Sequence, residues 1–491
     1  MIKNWSKTLD RSYQNAMTNL NNHPNVRLET QTVRGVEKTE LIITPYDELP
    51  DSPSLRALKS NVDSRLPEVD LSELLLEINA RTKFAAQMVH GVAQTPHANG
   101  IELSVLAVLL AEACNIGLAA VSNERNPALT LSRLSWTKRH YVQSDTISHA
   151  NVNLVEYHAN LPITKRWGDG DVASADGIRF VVPIKTIDAG YNPKYFGTKR
   201  GITYYTLISD QFTQLHGQVI PGTVSDSLFI LAALLEQKTI LKPEEVMADT
   251  GAYSDAIFGL FSLLGYKFSP RIKDAGGSRY WRINSDVNYG DLNRVARSKI
   301  NTNLIVEHWD DMLRFIGSIK LGKVKAMDAM RVIARNGSLN GLGNAIQEVG
   351  RIAKTLYLLD YVNDEATQRR VHLVLTHHET RHSLARALLH GKQGEIRQHY
   401  KKGMENQLGA LGFVVNIIVL WNSLYSQAAL ELIEAMGDDV FAEDAARLSP
   451  LKWQHINLLG RYEFSIDPSV AGGDLRPLRD PNALWGLDTE P

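Results

Sequence analysis

A small α/β sheet set into a predominantly α-helical chain is the architecture that three features of these 491 residues point to. The first 160 residues carry mostly helical apolar periodicity. Residues 178–249 alternate short β-branched or aromatic runs with one Leu- and Ala-rich helical stretch, which is the texture of a mixed sheet flanked by helices. Residues 286–374 lack any strand signal and show amphipathic helical pattern with scattered basic residues.

Taken in order, the first thirty residues are polar and Asn-rich and are expected to be poorly ordered. Residues 35–44 suit a short strand, and Pro45, Pro50, Pro53 and Pro67 punctuate the stretch after it. An amphipathic helix opens at 70–78, a strongly apolar helix covers 102–118, and further helices run over 129–161. Strands are expected at 178–184, 202–208, 218–223 and 245–249, with helices at 226–237 and 256–264. Ser254 and Asp255 cap the second of these, and Asp255 reads as an N-terminal helix acid rather than a ligand. A helix from Glu379 to His390 ends at Gly391. Residues 405–435 are mainly helix, and the Pro-, Gly- and Asp-rich tail from Pro468 is expected to be loose. No internal repeat is visible. The expected divisions are a helical scaffold at 1–160, the first part of the α/β core at 161–285, a helical insertion at 286–374, the last core helix at 375–403, and a helical C-terminal region at 404–491.

Composition narrows the function classes. With 44% hydrophobic and 22% charged residues the chain is ordinary globular protein. Cys114 is the only cysteine and sits in an apolar helical run, so a reducing cytoplasm is expected. No signal peptide is visible, and the apolar run 411–421, interrupted by Asn416, is too short to cross a bilayer. No membrane role is expected. Net charge is −1 from 53 basic and 54 acidic side chains, so global charge gives no sign of nucleic acid. Local charge does. Residues 266–282 hold five basic residues, among them Arg271, Lys273 and Arg279, interleaved with Tyr266, Phe268, Tyr280 and Trp281. That mixture suits phosphate contacts with base stacking. A second basic stretch, 381–402, contains Arg381, His382 and Arg386.

The chemistry centres on Glu379. Within His378-Glu379-Thr380-Arg381-His382 it forms H-E-x-x-H, the zinc-protease helix pattern, with two histidines one turn apart. The metzincin extension is missing, because Ala385 and Leu388 stand where Gly and His belong. The other grouping joins Glu379 to Asp176, at a strand start, and Asp249, at a strand end. Strand, strand and helix carriers let three oxygen ligands converge at a sheet edge, as two hard cations about 3.5–4 Å apart require. Gly177 and Gly251 beside the aspartates permit close substrate approach.

Collinear words carry a resemblance. They are 74–82 (LLLEINART), 106–118 (LAVLLAEACNIGL), 167–180 (WGDGDVASADGIRF), 248–255 (ADTGAYSD), 264–271 (LGYKFSPR), 379–395 (ETRHSLARALLHGKQGE), 407–421 (QLGALGFVVNIIVLW) and 448–462 (LSPLKWQHINLLGRY). Over roughly residues 35–465 the chain resembles the catalytic portion of the Tn-three family of replicative transposases. The resemblance implies an RNase H-like core with a DDE triad of Asp176, Asp249 and Glu379. It implies Mg²⁺ or Mn²⁺ as two ions, DNA cleavage at transposon ends and strand transfer into target DNA. The implied partners are double-stranded DNA, as terminal inverted repeats and target, and a second copy of the chain on paired ends. Three departures stand out. Ala175 occupies a usual serine position and Ile178 a common glutamine one. His378 replaces a usual glycine, which creates the H-E-x-x-H. Family members are also much longer, so a truncated or split chain lacking the end-recognition regions is expected. The alternatives are a catalytically inactive DNA-binding remnant and, remotely, the zinc protease.

Overall fold

The computed structural model of the protein describes residues 1–20, 25–33, 36–44, 50–88, 99–222, 229–249, 253–272, 277–335, 338–460 and 462–482. The central sheet uses five main strands. They are β1 (Val172–Val181), β2 (Arg200–Ser209), β3 (Gln214–Pro221), β4 (Glu245–Ala248) and β5 (Lys267–Pro270). In space they run β3-β2-β1-β4-β5, with β2 antiparallel to both its neighbours and β4 and β5 parallel to β1. Gly190–Tyr191 adds a short rung beside the start of β2. Between β3 and β4 lies helix Ile230–Glu236, the crossover that a parallel return strand needs.

Both faces of this sheet are covered, so its strands are nearly continuously buried. Alternation along β1 separates two cores. Ala173 and Ala175 join the core that holds helices α1 (Ile2–Leu20), α2 (Asp255–Leu264) and α3 (Gly341–Asn363). Ile178 and Phe180 join the other core, with helix Ile101–Ala113 and helix α5 (Lys401–Ala435). Between α3 and α5 in sequence runs α4 (Glu365–Leu388), lying across β1 and β4.

α5 is long and apolar enough to cross a membrane by length and composition, yet 89% of its apolar window is buried within the fold. It is a core helix. Its Asn416 is fully satisfied, accepting from Gln214 N at 2.8 Å and donating to Asn151 Oδ1 at 2.7 Å.

Several expectations need correction. Residues 2–20 form a helix. α1 buries Leu9, Tyr13 and Ala16, and Tyr13 stacks on Tyr289 at 4.2 Å and donates to Trp281 O. Residues 2–20 therefore pack on the 286–374 region rather than on the helices next to them in sequence. Val26–Val33 and Val36–Ile43 form a hairpin, twice the expected strand content. Residues 267–270 form an edge strand. Phe268, Tyr280 and Trp281 are core residues with no face left for bases. The strandless stretch does hold two-residue bridges at 298–299 and 338–339. α4 starts at Glu365, capped by the Asp364 carboxylate accepting from Ala366 N, and so crosses the expected boundary at 374/375. The turn residues 250–252, including Gly251, and the end of the tail lie outside the described residues.

Candidate active site

Register defines the site. β1 and β4 are parallel, and Ala175 pairs with Ala248. Asp176 and Asp249 each come one residue after that pair, so the two aspartates sit at matching positions on neighbouring strands, which are about 4.8 Å apart. Asp176 lies within β1 rather than at its start, opposite Thr206 of β2. Period-two alternation puts Ser174 and Asp176 on the face that α4 covers.

α4 is fastened to that face at three places. Arg370 pairs with Glu245 of β4 at 2.8 Å. His378 is buried, its Nδ1 2.8 Å from Ser174 Oγ and its Nε2 2.9 Å from Thr206 Oγ1. Arg381 is buried and donates to Phe212 O, Gly412 O and Asn416 Oδ1 at 3.0, 3.0 and 2.7 Å. Burial pushes its guanidinium down to about 9. One turn after His378, His382 brings Nδ1 to 3.7 Å from Asp176 Oδ2, too long for a hydrogen bond. Burial, with help from Arg386, Arg381 and Arg179, pushes His382 down to about 3, so it approaches the carboxylate as a neutral ring.

Glu379 is exposed, at the middle of α4 rather than at its start. It stands three residues before His382 and seven before Arg386, which places all three along one rim of the helix. Asp249 is about half exposed and pairs with Arg271 at 2.8 Å. Among the described residues no three His, Cys, Asp or Glu side chains gather tightly enough to hold a metal. The structure thus sets Asp176 beside His382 and Asp249 at the adjoining strand end, with Glu379 on the helix above.

This geometry disposes of the zinc-protease reading. Zinc ligation needs a lone pair on a nitrogen of each histidine. Both nitrogens of His378 are already engaged by hydroxyls.

The expected DNA contacts divide. Arg381 is a core residue spent on carbonyls, and His382 is buried, so neither faces a phosphate. Arg271 is held by Asp249. Arg279 and Arg386 are exposed. Lys273 lies outside the described residues. Asp255 is confirmed as a helix-start acid. Ser254 caps α2 through Ile257 N, and Asp255 pairs with Lys354 at 3.0 Å. Sequence reasoning missed Ser174 and Thr206. Ser174 stands two residues before Asp176, hence on its face, and that spacing was the available signal.

Comparison with known proteins identifies the family. The family model described as "Tn3 transposase DDE domain" matches residues 73–462. The chain is 46% identical over 474 residues to the transposase for transposon gamma-delta of Escherichia coli (strain K12), covering 96% of this chain and 46% of that protein. It is 42% identical over 434 residues to the transposase for transposon Tn4556 of Streptomyces fradiae, covering 88% and 48%. The transposase for transposon Tn1546 of Enterococcus faecium is 36% identical over 415 residues, covering 84% and 42%. The chain spans about half the length of these curated relatives. With nine-tenths of its length collinear with such proteins and the strand-borne acids falling inside the matched region, this chain belongs to the Tn3 transposase family, through its DDE domain.

Proposed function

We propose that this chain performs the catalytic step of DNA transposition, cleaving a phosphodiester at a transposon end and joining the freed 3′-hydroxyl to target DNA. The observation that carries the reading is the pairing of Asp176 and Asp249 at matching positions on adjacent parallel strands, beneath the helix that bears Glu379. The strand order, three antiparallel strands followed by two parallel ones, supports an RNase H-like core.

The donor set fits divalent Mg²⁺ or Mn²⁺. Asp176, Asp249 and Glu379 offer only carboxylate oxygens, which hard cations prefer, and the two aspartates come from rigid strands. Such ions, when bound, polarise the phosphate and favour the ionised nucleophile. The residues' own part is positional. The hydroxyls of Ser174 and Thr206 fix His378, and through it the turn of α4 that carries Glu379. Arg271 balances Asp249, and the neutral His382 ring walls off Asp176 without competing for its charge. Double-stranded DNA carrying terminal repeats, and a second copy acting on paired ends, are the partners this reading calls for.

The test is Mg²⁺-dependent cleavage and joining of oligonucleotides that carry transposon ends, comparing wild type with Asp249→Ala. Products from wild type and none from the variant are expected. DNA binding without cleavage or joining by wild type would overturn the catalytic reading in favour of an inactive DNA-binding remnant.

A further inference from the structure

Beyond the carboxylate corner, two sequence-distant segments meet to form one exposed surface. Residues 183–200 run from β1 to the first residue of β2, and residues 392–402 run from α4 into the first turn of α5. Thr186 Oγ1 donates to His399 O at 2.8 Å, and Asp188 Oδ2 accepts from Lys401 N at 2.8 Å. Lys199 pairs with Glu395 at 3.7 Å, and Ile396 N donates to Val181 O at 3.0 Å. In these two segments eight side chains are lysine or arginine and two are acids. Both acids are engaged, Asp188 at the start of α5 and Glu395 with Lys199 and Arg397. In a chain of net charge −1 this is a local concentration of positive charge.

The aromatic residues here are exposed. Tyr191, Tyr195 and Tyr400 are 55%, 43% and 78% exposed. Cations lie over two of the rings. Arg179 is 3.7 Å and Lys194 5.0 Å from the Tyr195 centroid, and Arg200 is 4.8 Å from that of Tyr191. The exposure of these rings contrasts with residues 266–282, whose aromatics are mostly in the core. The surface is also close to the proposed chemistry. Arg179 is three residues after Asp176 on the same strand, about 10 Å along it.

We propose that this surface binds an unpaired DNA strand. Bases stack on Tyr195 and Tyr400, with Tyr191 as a further platform, and phosphates lie along Lys194, Lys199, Lys401 and Lys402. Exposed aromatic rings favour an unpaired strand over a duplex, because base faces are free only where stacking has been opened, whereas lysines alone would take either. The proposal rests on the DNA reading above, yet its test is separable from that reading.

The experiment is fluorescence anisotropy with a labelled oligothymidylate and with a duplex of equal length, without divalent metal, at several salt concentrations. Tyr195→Ala combined with Tyr400→Ala is expected to lower single-strand affinity at least about 30-fold, as the loss of two stacking platforms implies. Duplex affinity should change by less than about threefold, since no base face is read there. The corresponding Phe pair should bind like wild type. Lys401→Gln with Lys402→Gln should reduce the salt slope for the single strand by about 1.4. Since all four side chains are exposed, these variants are expected to fold. Equal single-strand binding by the Ala pair and wild type, or equal losses for single strand and duplex, would overturn the proposal. If strand cleavage fails while the tyrosine variants lose affinity, the surface stands and the catalytic reading falls. If cleavage succeeds and the tyrosines are neutral, the reverse holds.

Discussion

Replacing Arg381 with alanine separates a structural arginine from a DNA-binding one. The guanidinium donates three hydrogen bonds, to Phe212 O, Gly412 O and Asn416 Oδ1, and joins α4, α5 and the β2–β3 turn. A hydrogen bond to a charged group is worth about 1.5–3 kcal/mol. Against this stands the cost of burying the charge, visible in the depression of the guanidinium to about 9. That depression offsets most of the hydrogen-bond gain at about 1.4 kcal/mol per pKa unit. Alanine relieves the burial cost, but it strands buried acceptors and leaves a cavity where the side-chain stem had packed. The net loss is about 3–4 kcal/mol, in the range found for breaking buried charge networks. For a chain of this length unfolding as one unit, that is roughly 3–4 °C in Tm. The assay is thermal unfolding alongside the salt dependence of DNA binding. A side chain that touches no phosphate releases no counterion, so the salt slope should not move. An unchanged Tm with a slope reduced by about one would refute the argument.

Other expectations rest on the same geometry. Asp176→Asn and Asp249→Asn should each reduce strand cleavage by at least about 100-fold, read on labelled end substrates. Asp249→Asn should change stability by less than about 1 kcal/mol in urea unfolding, because its pair with Arg271 is partly exposed. His378→Ala strands two hydroxyls and opens a cavity, so a loss of about 2–4 kcal/mol is expected, with metal analysis showing no dependence of zinc content on this residue. Burial raises Asp210 to about 7, so the folded state prefers its protonated form. Folded protein then binds more protons than unfolded protein between about pH 4 and 7, and stability falls as pH rises through that window. Asp210→Asn should therefore stabilise the protein by up to about 4 kcal/mol at pH 8 and little at pH 4, by urea midpoints at both pH values.

Much of the fold was legible because the signals were local. The β-branched runs gave β2 and β4, and helix periodicity gave Ile101–Ala113 and α5. Elements whose stability comes from distant partners were less readable. α1 is polar on average and is held by Tyr13 on Tyr289 and Trp281, a contact more than 260 residues away in sequence. β5 was hidden because its lysine and arginine neighbours read as a phosphate-binding segment, when Lys267 in fact pairs with Glu245. Composition likewise could not tell a buried arginine from an exposed one. Arg381 and Arg386 look alike in sequence, and only packing separates them. The motif resemblance proposes the three acids as a set, whereas the hydroxyl pair that occupies His378 was not readable, since Thr206 reaches it across strands.

The three fastenings of α4 have a mechanical consequence. Arg370, His378 and Arg381 span eleven residues, about 16 Å of helix, and grip β4, β1, β2 and α5 in turn. A rod clamped at both ends and in the middle cannot slide or pivot as a unit without breaking buried contacts. Glu379 lies between the clamps, so its backbone is fixed relative to the two aspartates. Any adjustment of its carboxylate toward them must come from its own side-chain torsions, a movement on the timescale of rotamer changes rather than of domain closure. Shortening the side chain by one methylene, as in Glu379→Asp, would remove that reach without disturbing the rod.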